Sequence, residues 1–349
     1  MKKVFLIVPL AFILSSCAKS PTSPVQYYVP AASAVYVLNQ GNFGQGNASL
    51  TAYYPDSNTA VNGLFKLVNS RNLGDLGNDI ALYGGDAYMV INNSDKVEIM
   101  DAGTALSVGT VYFPSGTSPY RIAFYSPSSV AFVSDLYTNS VSVINLTTNT
   151  LIPADTISVG ANPYGIACFA GQVFVANSGY GSGNTVSVID AVTRKVVKTV
   201  TVGAGPTEVE ADEYGYIWVA CPGQPGDNGS IYLINSLTDS VTDSISVGMQ
   251  IPSFTGHTLT IDTQNGAAYL IADNSVVKLD VSTHKILNKN LISGSFYAIS
   301  VDEATGNVYV TDAKDGKTNG TVYIYTSDGI STNRSFTAGM YPDGIAFLR

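Results

Sequence analysis

From Val35 to the C-terminus, short runs of alternating apolar and polar residues recur roughly every 40–50 residues, the period of a four-stranded propeller module. The pattern is plainest in four places. VFVANSGYGSGNTVSVIDAVTRKVVKTVTVG starts at Val173 and AFVSDLYTNSVSVINLTTNTLIPADTISVG at Ala131. IWVACPGQPGDNGSIYLINSLTDSVTDSISVG starts at Ile217 and VYVTDAKDGKTNGTVYIYTSDGISTNRSFTAG at Val308. Each unit reads as a strand, a Gly/Asn-rich loop, a second strand, a Thr-containing turn and a strand closing on "VG" or "AG". Val, Ile, Thr and Tyr dominate these units, which favours strands, and beyond the first twenty residues no run has helical periodicity. The strand after each "VG" loop is the innermost of a blade. Its apolar centre reads Ile80-Ala81-Leu82, Ile122-Ala123-Phe124, Ile166-Ala167-Cys168, Val209-Glu210-Ala211, Leu259-Thr260-Ile261, Ile299-Ser300-Val301 and Ile345-Ala346-Phe347. The seventh has no strands after it, and the first unit, at Val35, has no inner strand before it. The two deficits predict an all-β, seven-bladed β-propeller, residues 34–349, whose C-terminal inner strand completes the N-terminal blade and so removes both free edges of the ring.

Composition narrows the partners. The chain has 349 residues, a formal charge of −9 and only 12% charged residues. No basic stripe exists to neutralise phosphates, so a nucleic-acid role is excluded. A closed ring needs no second chain for its stability, so a monomer is expected. Cys168 and Cys221 lie in or at the end of apolar strands and are expected to be buried free thiols.

The N-terminus carries an address. Lys2 and Lys3 precede an apolar stretch, Val4 to Leu14, too short to remain as a membrane-spanning helix. The following Leu14-Ser15-Ser16-Cys17 resembles the lipobox of bacterial lipoproteins. That resemblance implies removal of a signal peptide, residues 1–16, and lipidation of Cys17. A Pro/Ser/Thr-rich tether, residues 17–33, then leads to the domain. The expected location is the outer membrane, lipid-anchored, on its periplasmic or cell-surface side.

Strand order places any site. The loops from outer to next inner strand and from second to third strand share one face. The opposite face carries ordinary tight turns. His284 falls there and is expected to be solvated. On the loop-rich face, the residues opening the inner strands are Asn78, Tyr120, Tyr164, Thr207, His257, Tyr297 and Asp343, with Asp79, Arg121 and Glu208 in the next position. Around them the second loops supply Asn42, Phe43, Asn92, Asn93, Tyr137, Tyr180 and Gln224, and the connections supply Phe254, Phe296 and Tyr341. A wide, shallow basin of aromatic planes, amides and hydroxyls suits a large, polar, largely uncharged ligand. The same tyrosines also read as a repeat consensus that packs the rim.

Catalytic signatures are weak. His257 alone is a rim hydrogen-bonding residue more readily than a general base. Asp79, Glu208 and Asp343 come from different blades, so sequence does not set their separation. The stretch from Asp312 to Gly320 mimics a calcium loop but has Lys314 and Gly316 at ligand positions and no closing glutamate. Gly179, Gly181 and Gly183 precede a strand, not a helix N-terminus, and cradle no phosphate. No catalytic residue, cofactor or metal is expected.

VYVTDAKDG, VFVANSGYG and VYVLNQGN, each followed by a "VxVID"-like strand, resemble the YVTN family of bacterial β-propellers. VYVLNQGNFGQGNASLTAYYPDSNT and LGDLGNDIALYGGDAYMVINNSDKVEIMDAGT resemble lipoprotein propellers of the Bacteroidetes type. Some members of that group are surface lipoproteins that capture cobalamin and cap a TonB-dependent outer-membrane transporter. The resemblance therefore implies a non-enzymatic binding protein, with cobalamin or a related corrinoid as ligand and such a transporter as partner. Its alternatives are a glycan- or protein-binding surface module and a lactonase- or lyase-like propeller enzyme.

Overall fold

In a computed structural model of the chain, residues 32–253 and 255–349 are described. The expected signal peptide, Cys17 and nearly all of the expected tether lie outside the described residues, as does Phe254. The described chain forms seven antiparallel sheets arranged as the blades of a propeller. From the axis outward, blade 2 runs Gly77–Tyr83, Asp86–Ile91, Lys96–Asp101 and Ser107–Tyr112. Blade 4 runs Pro163–Phe169, Gln172–Asn177, Thr185–Asp190 and Lys195–Thr201; blade 5 runs Glu208–Ala211, Tyr216–Cys221, Ser230–Asn235 and Ser240–Ser246. Blade 6 comprises Leu259–Asp262, Ala267–Ala272, Ser275–Asp280 and Lys285–Ser293, and blade 7 Ala298–Asp302, Asn307–Asp312, Thr321–Tyr325 and Ser331–Thr337. All seven inner strands fall where the "VG" spacing puts them.

Closure occurs in blade 1. Its inner strand, Pro342–Leu348, pairs with Ala34–Asn39, and Ser49–Tyr54 and Thr59–Asn62 complete the sheet. The register Ala34↔Leu348, Val35↔Phe347, Tyr36↔Ala346 and Val37↔Ile345 ties the two ends of the domain together. Apolar residues on both faces of each sheet pack against the neighbouring blades. Phe132 and Val143 of blade 3 thus share a core with Ile166 and Val175 of blade 4, and Trp218 of blade 5 with Leu259 and Leu270 of blade 6. Cys168 and Cys221 are free thiols.

Two local departures have physical causes. A helix, Leu64–Asn69, follows the outer strand of blade 1 and buries Phe65 between blades 1 and 2. Its six residues are too few to display a helical period. Blade 3 (Pro119–Tyr125, Val130–Asp135, Ser140–Asn145) has an outer strand split into Thr150–Leu151 and Ile157–Ser158 by a turn at Pro153–Asp155, because Pro153 has no N–H to give a ladder. One expectation fails. His284 is not solvated: its side chain is 15% exposed, sits edge-on to Tyr216 and Trp218 at 4.9 and 5.9 Å, and meets Asp243 at 3.2 Å. Tyr216 and Trp218 come from the neighbouring blade, which no turn motif in the chain reveals.

One close approach recurs. The residue ending the second strand in blades 1 and 4 is Asn39 or Asn177, and its Oδ1 accepts the N–H of Gly339 or Gly160 at 2.8 and 3.0 Å. Its Nδ2 donates to hydroxyls of the third strand, those of Ser49 and Thr51 or of Thr185 and Ser187. A Cβ on either glycine would meet the asparagine Cγ at 2.7 or 2.5 Å, so only glycine fits.

Candidate functional site

The loop-rich face has two zones. At its centre, the first residues of the inner strands converge on the axis and are buried rather than displayed. Asn78, Asp79, Tyr120, Arg121, Tyr164, Thr207, Glu208 and Asp343 are all buried, and His257 is half-buried. The expected basin is therefore filled at its centre. A buried charge needs a partner, and these side chains supply one another. Arg121 lies 3.6 Å from Glu208 and 3.7 Å from Asp343, and its Nη1 donates to the carbonyl of Asn78. His257 Nδ1 is 3.0 Å from Asp343 Oδ1, and its Nε2 is 3.4 Å from Asp79 Oδ1. Asp79 Oδ2 also accepts the Ile122 N–H at 2.9 Å, bracing blade 2 against blade 3. Carboxylates from blades 1, 2 and 5 are thus linked through cations of blades 3 and 6.

The network sets protonation. Burial and Arg121 oppose a charged imidazole at His257, but its hydrogen bonds to Asp343 and Asp79 prevail and hold its pKa up at about 10. At neutral pH it is an imidazolium, already spent on two carboxylates and unsuited to act as a base. Burial works against a charged Asp79, yet His257 and Arg121 hold its carboxyl below the usual range. Glu208 is pushed up by burial despite Arg121. Glu210 rises to about 8 through burial and the repulsion of Glu208. Glu210 escaped sequence reading although it lies two residues along the same strand, on the same face as Glu208. Both line a cavity of about 300 Å³ that runs from the ion cluster between the inner strands of blades 4 and 5, past Ile166 and Cys168. Among the described residues, no group of three or more His, Cys, Asp or Glu side chains is placed to hold a metal ion.

The aromatic residues divide between the zones. Tyr120 and Tyr164 pack ring against ring at 4.0 Å in a small core with Leu136. Tyr297 is half-buried, its hydroxyl donating to Gln40 Oε1 at 2.8 Å, with the Tyr341 ring 5.3 Å away. Asn42 is half-buried, Asn92 Nδ2 donates to the Pro119 carbonyl, and Asn93 Nδ2 donates to Asp75. Gln224 Nε2 donates to the Gly181 carbonyl across the blade 4–blade 5 boundary. The open zone lies further out. Phe43 is 72% exposed on a glycine-rich loop, and Tyr137 (59%) and Tyr180 (47%) face each other with ring centroids 6.5 Å apart. Tyr180 adopts φ 52° and ψ 44°, and Tyr341 φ 50°, left-handed backbone that is rare for bulky side chains.

Fold and face together define a single-chain β-propeller with an ionic hub and exposed aromatic residues on its outer rim. The chain belongs to the DUF5074 family, a domain of unknown function, whose profile matches residues 33–339. None of the curated proteins matches it. Solved structures share the fold. A quinonprotein alcohol dehydrogenase-like protein of Bacteroides thetaiotaomicron superposes with a TM-score of 0.69 at 14% identity, over 90% of this chain and 78% of that one. A Lactobacillus plantarum protein gives 0.69 at 14% identity over 91% and 100% of the two chains. A candidate 6-phosphogluconolactonase of Bacteroides fragilis gives 0.68 at 8% identity over 92% and 100%.

Proposed function

We propose that this protein is a lipid-anchored, non-catalytic propeller that binds a large, uncharged, polar ligand on the outer rim of its loop-rich face. One contrast carries the reading. The charged groups at the hub are engaged with one another, while the exposed rim offers Phe43, Tyr137 and Tyr180 with amides beside them. Aromatic faces flanked by amides favour ligands that stack and hydrogen-bond without charge. Cobalamin or a related corrinoid is the first candidate, handed on to a TonB-dependent transporter, and Cys17 is the anchor. The buried Asn78, Asp79, Tyr120, Arg121, Tyr164 and Asp343 then support the rim from beneath.

Calorimetric titration with cyanocobalamin, alongside a panel of neutral oligosaccharides, tests the ligand. Saturable one-to-one binding to cyanocobalamin, weakened by Tyr180→Ala, supports the reading. Binding to a sugar alone replaces the corrinoid by a glycan. Turnover of a lactone with silence in both titrations returns the protein to the enzymes.

A further inference from the structure

The axial channel is closed at one end only. The hub seals it on the loop-rich face, where the inner strands begin. Toward the plain face the same strands become less buried. Residues 77–80 of blade 2 are buried and 81–83 half-buried, and in blade 4 residues 163–166 are buried and 167–169 half-buried. In blade 5, Glu208 and Val209 are buried, Glu210 and Ala211 half-buried. The cavity of about 300 Å³ follows this gradient, from Asp79, Arg121 and His257 at its closed end to Cys168 and Ala211 at the other. It is a blind pocket opening on the face opposite the aromatic rim. Charge does not balance along it. Two cations, Arg121 and His257, meet four carboxyls, Asp79, Asp343, Glu208 and Glu210. The cations are taken up chiefly by Asp79 and Asp343. Glu208, 3% exposed, has only Arg121, at 3.6 Å and beyond hydrogen-bond reach. Neither Glu208 nor Glu210 accepts a hydrogen bond from a described residue. Carboxyls removed from water without a donor are costly, and these two share one face of one strand with the open pocket before them.

We infer that this pocket binds a small organic cation, a primary ammonium on a short aliphatic chain, between the carboxyls of Glu208 and Glu210. An ammonium carries three N–H donors and no acceptor. The two carboxyls supply acceptors, and so does the backbone of Glu208–Ala211, whose axial edge has no strand to pair with. The aliphatic part lies along Ile166, Ala167 and Ala211 toward the opening. A calcium ion would instead need about six to eight oxygens, and among the described residues no third His, Cys, Asp or Glu joins the pair. Protonation follows the charge. Burial and Glu208 raise the Glu210 carboxyl to about 8, with Asp79 adding repulsion and His257 and Arg121 opposing it. Glu210 therefore holds a proton at neutral pH. An ammonium beside it offsets Glu208 and lets that proton leave, so binding releases protons. The pocket lies on the other face from the rim and does not depend on the ligand proposed there.

The test titrates the full chain in detergent with n-propylammonium chloride at pH 7, in phosphate and in MOPS, whose different ionisation heats report proton release. Wild type should bind one ion saturably and release protons. Glu210→Gln should weaken binding about tenfold or more and abolish the release. Tetramethylammonium, which has no N–H to donate, should stay silent. Propylammonium should also slow modification of Cys168 by methyl methanethiosulfonate, read by peptide mass spectrometry in the unmutated protein. Silence with propylammonium, equal affinity in Glu210→Gln, or an unchanged rate at Cys168 overturns the inference. So does calcium chloride binding in a Glu210-dependent way while propylammonium does not.

Discussion

Replacing Asp135 by asparagine should remove a pH dependence built into blade 3. Asp135 is fully buried at the end of the second strand, in the place of Asn39 and Asn177. Its Oδ2 accepts the hydroxyls of Ser140 and Ser142 at 3.0 and 2.7 Å, and its Oδ1 has no partner. The cause is local. In blades 1 and 4 the opposing residue is a glycine whose N–H reaches that oxygen, but here it is Pro114, which has none. The alignment is fixed by the preceding residue. Phe113 donates its N–H to the Asp95 carbonyl, as Val159 does to Asn139 and Ala338 to Gly320. Burial therefore pushes the Asp135 carboxyl up from 3.8 to about 7, with Asp95 adding repulsion against the two serine bonds. The folded state then holds a proton that the unfolded chain releases near pH 4. Stability from this group is full below that pH and declines as pH rises to about 7. Over about three pH units, at about 1.4 kcal/mol each, the decline reaches about 4 kcal/mol. Asparagine is neutral throughout, and its Nδ2 can donate to the two serines as that of Asn177 donates to Thr185 and Ser187. Urea unfolding of wild type and Asp135→Asn at pH 4.5, 6 and 8 should show similar midpoints at the acid end. The variant should gain steadily above it, with m unchanged. Pro114→Gly, which restores the missing donor, should flatten the wild-type slope. Parallel curves for wild type and Asp135→Asn across this range would falsify the assignment of an unpaired carboxyl.

The hub and the rim respond differently to change. His257, held up at about 10 by Asp343 and Asp79, contributes stability that is full below pH 6.5 and is lost as pH rises through 10. Unfolding monitored from pH 7 to 10 should show a slope that His257→Ala removes, of up to about 1.4 kcal/mol per unit. Tyr164→Ala should cost about 2–5 kcal/mol of stability through the cavity left beside Tyr120, while ligand affinity per folded molecule stays constant. Tyr180→Gly should relieve left-handed strain and raise stability by about 1 kcal/mol, while weakening ligand binding by about 1–3 kcal/mol in the same calorimetric titration. Gly339→Ala, which drives a Cβ into Asn39, should destabilise by about 1–3 kcal/mol in thermal unfolding.

The seven inner strands, the closure of blade 1 and the separation of a plain from a loop-rich face were all legible in the chain. Each depends on contacts between neighbours in sequence or on a repeated spacing, and alternation with period two is enough to read them. The hub residues were also legible as a set of positions, because each stands at or just before the start of a repeated inner strand. Their roles were not. Whether Tyr164 is displayed or buried, and whether Asp79, Arg121, His257 and Asp343 are ligands for something else or for one another, depends on side chains from several blades meeting at the axis. Position along the chain holds no record of that distance. The same holds for Asp135, whose partner oxygen is stranded only because Pro114 lies opposite, and for His284, whose ring is covered by Tyr216 and Trp218 of another blade. Local pattern settled the repeated strands, apart from the short helix Leu64–Asn69 and the split outer strand of blade 3. Convergence around the axis decided which charges are buried, and a buried charge must find its partner wherever the fold brings one.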